Sequence, residues 1–312
     1  MRVFLAGATG VVGRRLLPRL VADGHEVTAM TRTPAKADGI RAAGAEPAVT
    51  DALDADAVRD AVVAARPEVV VNHLTDLPQE IDPRKLERMY AANDRIRTVG
   101  APNLAAAARA AGARRIVAQS IAFVYAPRGA PIKDESAPLY EGAPAPFDRS
   151  VEAVIALERA TTASEGIEGV ALRFGWWYGP GTSYAADGFT AEQVRKRRFP
   201  IIGGGAGVFS FVHIDDVVEA TITALDRGAP GVYNVVDDEP APMREWLPPY
   251  AEALGAPRPR RVPRWLARLV AGRFVAFMAT ELRGASNAVA RRELGWSPRF
   301  PSWRQGFREA LG

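Results

Sequence analysis

The sequence predicts an α/β fold, a doubly wound parallel sheet with a smaller C-terminal lobe. Three observations predict it. A short apolar run, Val3 to Ala6, ends in a glycine-rich turn, Gly7-Ala8-Thr9-Gly10-Val11-Val12-Gly13, that opens into a helical period. Short apolar runs and helical segments then alternate to about residue 175, the pattern of successive βαβ units. Beyond residue 176 the alternation breaks down into shorter segments separated by Pro and Gly.

Val3 to Ala6 is wholly apolar and bounded by glycine, as a parallel strand buried on both faces must be. Residues 12–22 carry apolar side chains at helical spacing and stop at Asp23-Gly24. Residues 26–31 form a second strand, 52–65 a helix and 68–72 another buried strand. Residues 86–111 predict a long helix, interrupted near Pro102, which has no amide hydrogen to give, and closed by Gly112. A strand over 115–119, a Pro-, Gly- and Ala-rich loop over 127–146, a helix over 151–164 and a strand over 169–174 follow. Pro180-Gly181 and Gly203-Gly204-Gly205 mark loops. A helix over 215–225, with Asp215 and Asp216 at its positive end, precedes a strand over 232–236 that returns to the sheet. Residues 1–175 and 213–236 therefore make the sheet domain. Residues 176–212 and 237–312 make the lobe.

The 312 residues are 48% hydrophobic, enough to bury a sizeable core. The absence of cysteine excludes disulfides, thiolate metal sites and cysteine nucleophiles. Three isolated histidines offer no ligand spacing, so no metal is predicted. No apolar stretch has the length of a membrane span, and the first apolar run is too short for a signal peptide. A cytoplasmic chain with no membrane partner is expected. The net charge is only +4, and the basic stretches at Arg195 to Arg198 and at Arg258, Arg260, Arg261 and Arg264 read as solvated surface. Nucleic acid is not needed to explain them.

Gly7, Gly10 and Gly13 stand between the first strand and the first helix, as in a Rossmann domain. They permit a tight turn, close approach of a pyrophosphate and packing of helix on sheet. The amides of Thr9 to Gly13 then face phosphate. At the end of the second strand, Met30-Thr31-Arg32-Thr33 holds no carboxylate for a ribose 2′-hydroxyl. Arg32 suits a 2′-phosphate instead, so NADP(H) is favoured over NAD(H).

These features resemble the short-chain dehydrogenase/reductase superfamily, and within it the extended, NAD-dependent epimerase/dehydratase type. The glycine turn matches that family's GxxGxxG. Asp51, beside Ala52 and with Asp54, matches the acidic site that meets the adenine amine. Asn72-His73-Leu74-Thr75 resembles the segment lining the adenine ribose, and Asn93 a structural asparagine of the long helix. Gln119-Ser120 through Val124-Tyr125 resembles the SSxxVY segment. Leu172-Arg173-Phe174-Gly175 through Tyr178-Gly179-Pro180 resembles the LR…YGP signature near the nicotinamide, and Phe211 to Asp216 the VHVDD segment. Within the family, the WYGPG, GGGAG and SFVHIDD segments are most similar to a bacterial epimerase/dehydratase-like lineage.

The resemblance implies a YxxxK pair, with tyrosine as acid/base and lysine lowering its pKa while holding the ribose. Glu158 aligns with a family glutamate four residues past that lysine, which puts Ser150 and Val154 where the pair belongs. None of the seven tyrosines has lysine four residues on. The family's Ser/Thr position falls on Ile121. Ser120 lies one step earlier, on the opposite face of the strand.

Tyr125 is the first candidate for a substitute proton donor, with Ser120 and Tyr178 as further catalytic candidates. Packing under the loop is the alternative for Tyr125. Tyr178, beside Trp176 and Trp177, either lines a flat apolar pocket or packs in the core. His73 lines the coenzyme cleft or acts as an acid/base. His213 sits just before a helix start, in a cap or packing role, and Asp148 and Arg149 lie near the vacant tyrosine position. Ser210, among Phe209 and Phe211, stands where relatives acting on nucleotide sugars place arginine.

The sequence therefore predicts an NADP(H)-binding oxidoreductase or epimerase/dehydratase-like enzyme. Its substrate is a carbonyl or alcohol of a small apolar or aromatic metabolite. A non-redox enzyme on the same scaffold (cyclisation, elimination or isomerisation) and a dinucleotide sensor without turnover are the alternatives. By the same resemblance, a homodimer is expected through 86–111 and 151–164.

Overall fold

The computed structural model describes residues 1–77, 80, 82 and 85–311. Seven parallel strands form the central sheet: β1 (Arg2–Ala6), β2 (Glu26–Thr31), β3 (Glu46–Val49), β4 (Val69–Asn72), β5 (Arg115–Ile121), β6 (Glu168–Phe174) and β7 (Gly231–Val235). Their order is β3-β2-β1-β4-β5-β6-β7, with Leu5 opposite both Ala29 and Val71 in register. The order reverses between β1 and β4. Beyond the carboxyl ends of those strands lies the crevice where a doubly wound sheet binds its ligand. Val3 to Ala6, Val69 to Val71 and Val170 to Leu172 are buried, which explains their unbroken apolar runs.

The helices lie as α1 (Gly13–Ala22), α2 (Ala37–Ala42), α3 (Ala55–Ala65), α4 (Leu86–Arg95), α5 (Ala101–Ala110), α6 (Phe147–Thr162), α7 (Phe189–Arg195), α8 (Ile214–Thr223), α9 (Met243–Ala253), α10 (Arg264–Thr280) and α11 (Trp303–Leu311). Several boundaries differ from the sequence prediction. The long helix breaks over Ile96–Gly100, a π turn just before Pro102. Pro102 has no N–H for the carbonyl one turn back, so the wider turn precedes it. Helix α6 begins at Phe147, four residues early, because Phe147 is buried against Phe274 and Phe277 of α10. Part of the predicted loop over 127–146 is tied down, since Ile132–Lys133 pairs with Gly284–Ala285.

Besides a core on the sheet face covered by α3 and α5, through Phe4, Val62, Val70 and Leu104, two larger cores result. One joins the sheet to α1 and α8 through Leu5, Leu16, Leu172 and Val217. The other is aromatic and centres on Trp246, with Tyr184, Phe209, Phe211 and Tyr250 in ring contact around it. The short strands Trp176–Tyr178 and Phe211–His213 pair in parallel and carry the chain from the sheet into that second core. No helix among the described residues is long and apolar enough to cross a membrane.

Candidate dinucleotide and substrate site

The glycine turn is built for close approach. Gly7 has φ +92°, and a Cβ there would overlap the carbonyl oxygen of His73. A Cβ on Gly13 would overlap the carbonyl of Gly7. Gly10 N–H donates to the Gly7 carbonyl at 3.1 Å and closes the turn. Val12 precedes α1 and gives it no side-chain cap. The positive end of α1 is thus left to an anion, and the turn fits a pyrophosphate.

Just past the end of β2, Arg32 is exposed and pairs with Asp76 on the loop after β4 at 2.9 Å. Asp51 accepts from Leu53 N–H, and Asp54 caps α3 through Ala57 N–H at 3.1 Å. Ala52 is buried, and its carbonyl accepts from Asn103. Asn72 Oδ1 accepts from Leu74 N–H, leaving Leu74 half-buried and Thr75 exposed on the loop after β4. Asn93 Oδ1 holds that loop from α4 by accepting from Asp76 N–H at 3.2 Å.

His73 is buried, with Nδ1 2.8 Å from Gln119 Oε1 and Nε2 3.0 Å from Thr221 Oγ1. Desolvation pushes its pKa down to about 4, so it stays neutral near pH 7 and links β4, β5 and α8. Both ring nitrogens of His73 are engaged within the fold. Phe174 stacks on its ring at 6.0 Å, and a Cβ on Gly175 would overlap the Ser210 carbonyl. Ser210 Oγ in turn accepts from Ala285 N–H at 2.8 Å. His213 accepts from Asp215 N–H at 3.2 Å and caps α8.

All three catalytic candidates point into the interior. Ser120 Oγ donates to Glu158 at 2.6 Å and is fully buried. Tyr125 donates to Asn234 Oδ1 at 2.7 Å and accepts from Arg173 Nη1 at 2.9 Å. Burial pushes its pKa up to about 12, and the hydroxyl's proton and one of its lone pairs are engaged within the protein. Arg173 is itself locked to Glu158. Tyr178 is buried in the lobe core under α11, where Gly306 leaves room for its hydroxyl, and burial drives its pKa far upward. In this structure the three candidate hydroxyls are engaged with protein partners or enclosed.

The dyad positions are vacant of acid/base chemistry. Ser150 donates to both carboxylate oxygens of Asp94, at 3.1 and 3.2 Å, and Val154 is fully buried. Beyond the carboxyl ends of β5 and β6 stand aromatic side chains instead. Phe123 stacks on Trp176 at 4.2 Å and 15°, and Trp176 meets Phe209 at 5.7 Å. Both Phe123 and Trp176 are half-buried, as is Ile121 at the Ser/Thr position. Sequence reasoning missed Arg97, a buried cation on the π turn between α4 and α5, because a helical arginine ordinarily signals solvent.

The sequence profile of the NAD dependent epimerase/dehydratase family matches residues 3–235. A 3-diazoavenalumate denitrifying reductase from a Streptomyces species is 51% identical over 309 residues, covering 98% of this chain and 99% of that protein. The fold is shared with UDP-glucose 4-epimerase from Thermotoga maritima, at a TM-score of 0.77, 18% identity and coverage of 100% and 97% of the two chains. It is shared equally with a human epimerase family protein solved with NADPH, at a TM-score of 0.75, 24% identity and coverage of 100% and 99%.

Proposed function

Because this chain belongs to the NAD-dependent epimerase/dehydratase family yet places no acid/base side chain where that family keeps its tyrosine and lysine, we propose that it is an NADPH-dependent reductase whose substrate accepts hydride without a proton from the protein. We identify that substrate as an aryl diazo carboxylate that loses dinitrogen. The observation that carries this reading is the pair Ser150 and Val154 together with the buried, committed hydroxyls of Ser120 and Tyr125.

A carbonyl substrate, expected from the sequence, needs a donor for the alkoxide that hydride creates. A diazonium carbon does not. Its C–N bond breaks, dinitrogen leaves with the bonding electrons, and hydride replaces it to give a neutral arene. When bound, the reduced nicotinamide supplies that hydride and ends as the oxidised coenzyme. The chain's own residues bind, orient and exclude water. The glycine turn and the N-terminus of α1 hold the pyrophosphate. Arg32, released from Asp76, takes the 2′-phosphate. Phe123 and Trp176 hold the aromatic ring flat and keep the site dry, which protects a reactive diazo group from water. The denitrifying activity in the name of the 51%-identical relative supports the same chemistry.

Incubation with NADPH and 3-diazoavenalumate tests it. Loss of absorbance at the NADPH maximum, matched mole for mole by dinitrogen, is the expected result. Turnover of ketones with NADPH, but not of the diazo compound, would overturn it.

A further inference from the structure

The two basic stretches of the sequence meet on one surface. Ile201–Ile202 pairs in parallel with Arg261–Val262, and Ile201 N–H donates to the Arg260 carbonyl at 2.8 Å. Arg195 to Arg198 therefore lead into one strand while Arg258 and Arg260 lead into its neighbour. Arg264 then opens α10 beside Gly203, just past the first of these strands. Residues 195–202 and 258–273 hold ten of the chain's 40 cationic residues and none of its 36 acidic ones. All ten are exposed. Among the described residues, Lys196 pairs with Glu192 and Arg264 with Glu281, and the other arginines of these two segments form no ion pair.

An apolar ridge stands within this basic surface. Trp265 is 68% exposed, Leu269 77% and Val270 55%, the most exposed large hydrophobic side chains among the described residues. Trp265 and Leu269 are four residues apart on α10 and stand one above the other, as do Arg264 and Arg268 beside them. Ala267, on the opposite side, is buried and seats this half of the helix. Gly272, at φ +90° and ψ 171°, ends that half in a backbone region open to glycine. The half beyond turns inward, with Phe277 and Met278 in the aromatic core.

We propose that this surface docks the protein on an anionic phospholipid bilayer, with the first half of α10 lying in the plane of the interface. Trp265, Leu269 and Val270 enter the acyl boundary, and the surrounding guanidinium groups meet lipid phosphates. Charge selects this occupant over a second copy, because a symmetric contact would set the ten cations of one chain against the same ten of another. Shape selects it over an acidic protein, because a projecting ridge needs a matching pocket in a folded partner and none in a fluid bilayer. The expectation of no membrane partner, drawn from the lack of a span, does not extend to a helix that lies on the bilayer rather than across it. Docking depends on neither the coenzyme nor the diazo substrate.

Co-sedimentation of the full chain with lipid vesicles tests this. At low salt the protein should pellet with phosphatidylglycerol vesicles and stay in solution with phosphatidylcholine vesicles. Trp265→Ser with Leu269→Ser should weaken phosphatidylglycerol binding about tenfold or more. Both side chains are exposed, so this double variant should unfold at the same temperature as the unmutated chain. Arg258→Gln with Arg260→Gln and Arg261→Gln should weaken binding about a hundredfold. Equal binding to both lipids, no binding to phosphatidylglycerol, or full binding by the Trp265 and Leu269 double variant would overturn the proposal. So would retention on immobilised polyglutamate without vesicle binding, the mark of an acidic protein partner. A dimer in sedimentation velocity that the double variant dissolves would overturn it as well, by assigning the ridge to a second copy.

Discussion

Glu158 takes Arg173 in a two-pronged grip, Oε1 accepting from Nε at 2.7 Å and Oε2 from Nη2 at 2.6 Å, with both side chains buried. This pair sits under the end of the sheet and draws Ser120 and Tyr125 inward, one through each partner. Glu158→Gln would leave Arg173 as an uncompensated buried charge. Equilibrium urea unfolding should show a loss of about 3–5 kcal/mol, and a loss below about 1 kcal/mol would contradict the structural role.

Tyr125→Phe should keep turnover within about twofold, because the hydroxyl holds Asn234 and Arg173 rather than the substrate. It should still destabilise the fold by about 1–3 kcal/mol, since both partners stay buried without it. Comparing kcat with the urea midpoint separates the two effects. Inactive but fully stable protein would reinstate Tyr125 as the proton donor.

Stability should fall in acid through His73. Its pKa is about 4 in the folded chain against an ordinary 6.5, so the unfolded chain binds the proton more tightly. The contribution is complete above pH 6.5 and fades as pH drops toward 4, by about 3 kcal/mol at most. His73→Gln should flatten this part of the stability profile between pH 7 and pH 4. An unchanged slope would place the acid sensitivity elsewhere.

Arg32→Ala should weaken NADPH about tenfold or more while changing NADH little, read by fluorescence titration of both coenzymes. Arg32 must exchange Asp76 for the phosphate, so Asp76→Asn should tighten NADPH modestly. Equal losses for both coenzymes in Arg32→Ala would contradict the preference for NADP(H).

Gly7 to Gly13 and the buried strands were legible in the sequence because their requirements are local. A backbone at φ +92° beside the His73 carbonyl leaves glycine as the one residue that fits, and a strand covered on both faces must be apolar throughout. The direction of Ser120 was legible for the same reason, since strand neighbours alternate. Its partner was not, because Glu158 lies 38 residues away on α6. Tyr178 read as a candidate because it stands beside half-buried Trp176 and Trp177. Only the fold shows α11 closing over it, through Gly306, at the far end of the chain. Arg97 was invisible for a different reason. Its helix is mostly polar, and burial there depends on α6 packing across it.

In the reaction proposed above, hydride arrives from the coenzyme and no protein side chain delivers a proton. Stereospecifically deuterated NADPH, one preparation for each face of C4, tests it most directly with 3-diazoavenalumate in ordinary water. One of the two preparations should place a full deuteron on the ring carbon that lost dinitrogen, and kcat should stay flat as Tyr125 is replaced by Phe. A product carrying only solvent hydrogen at that carbon with both preparations would contradict the claim.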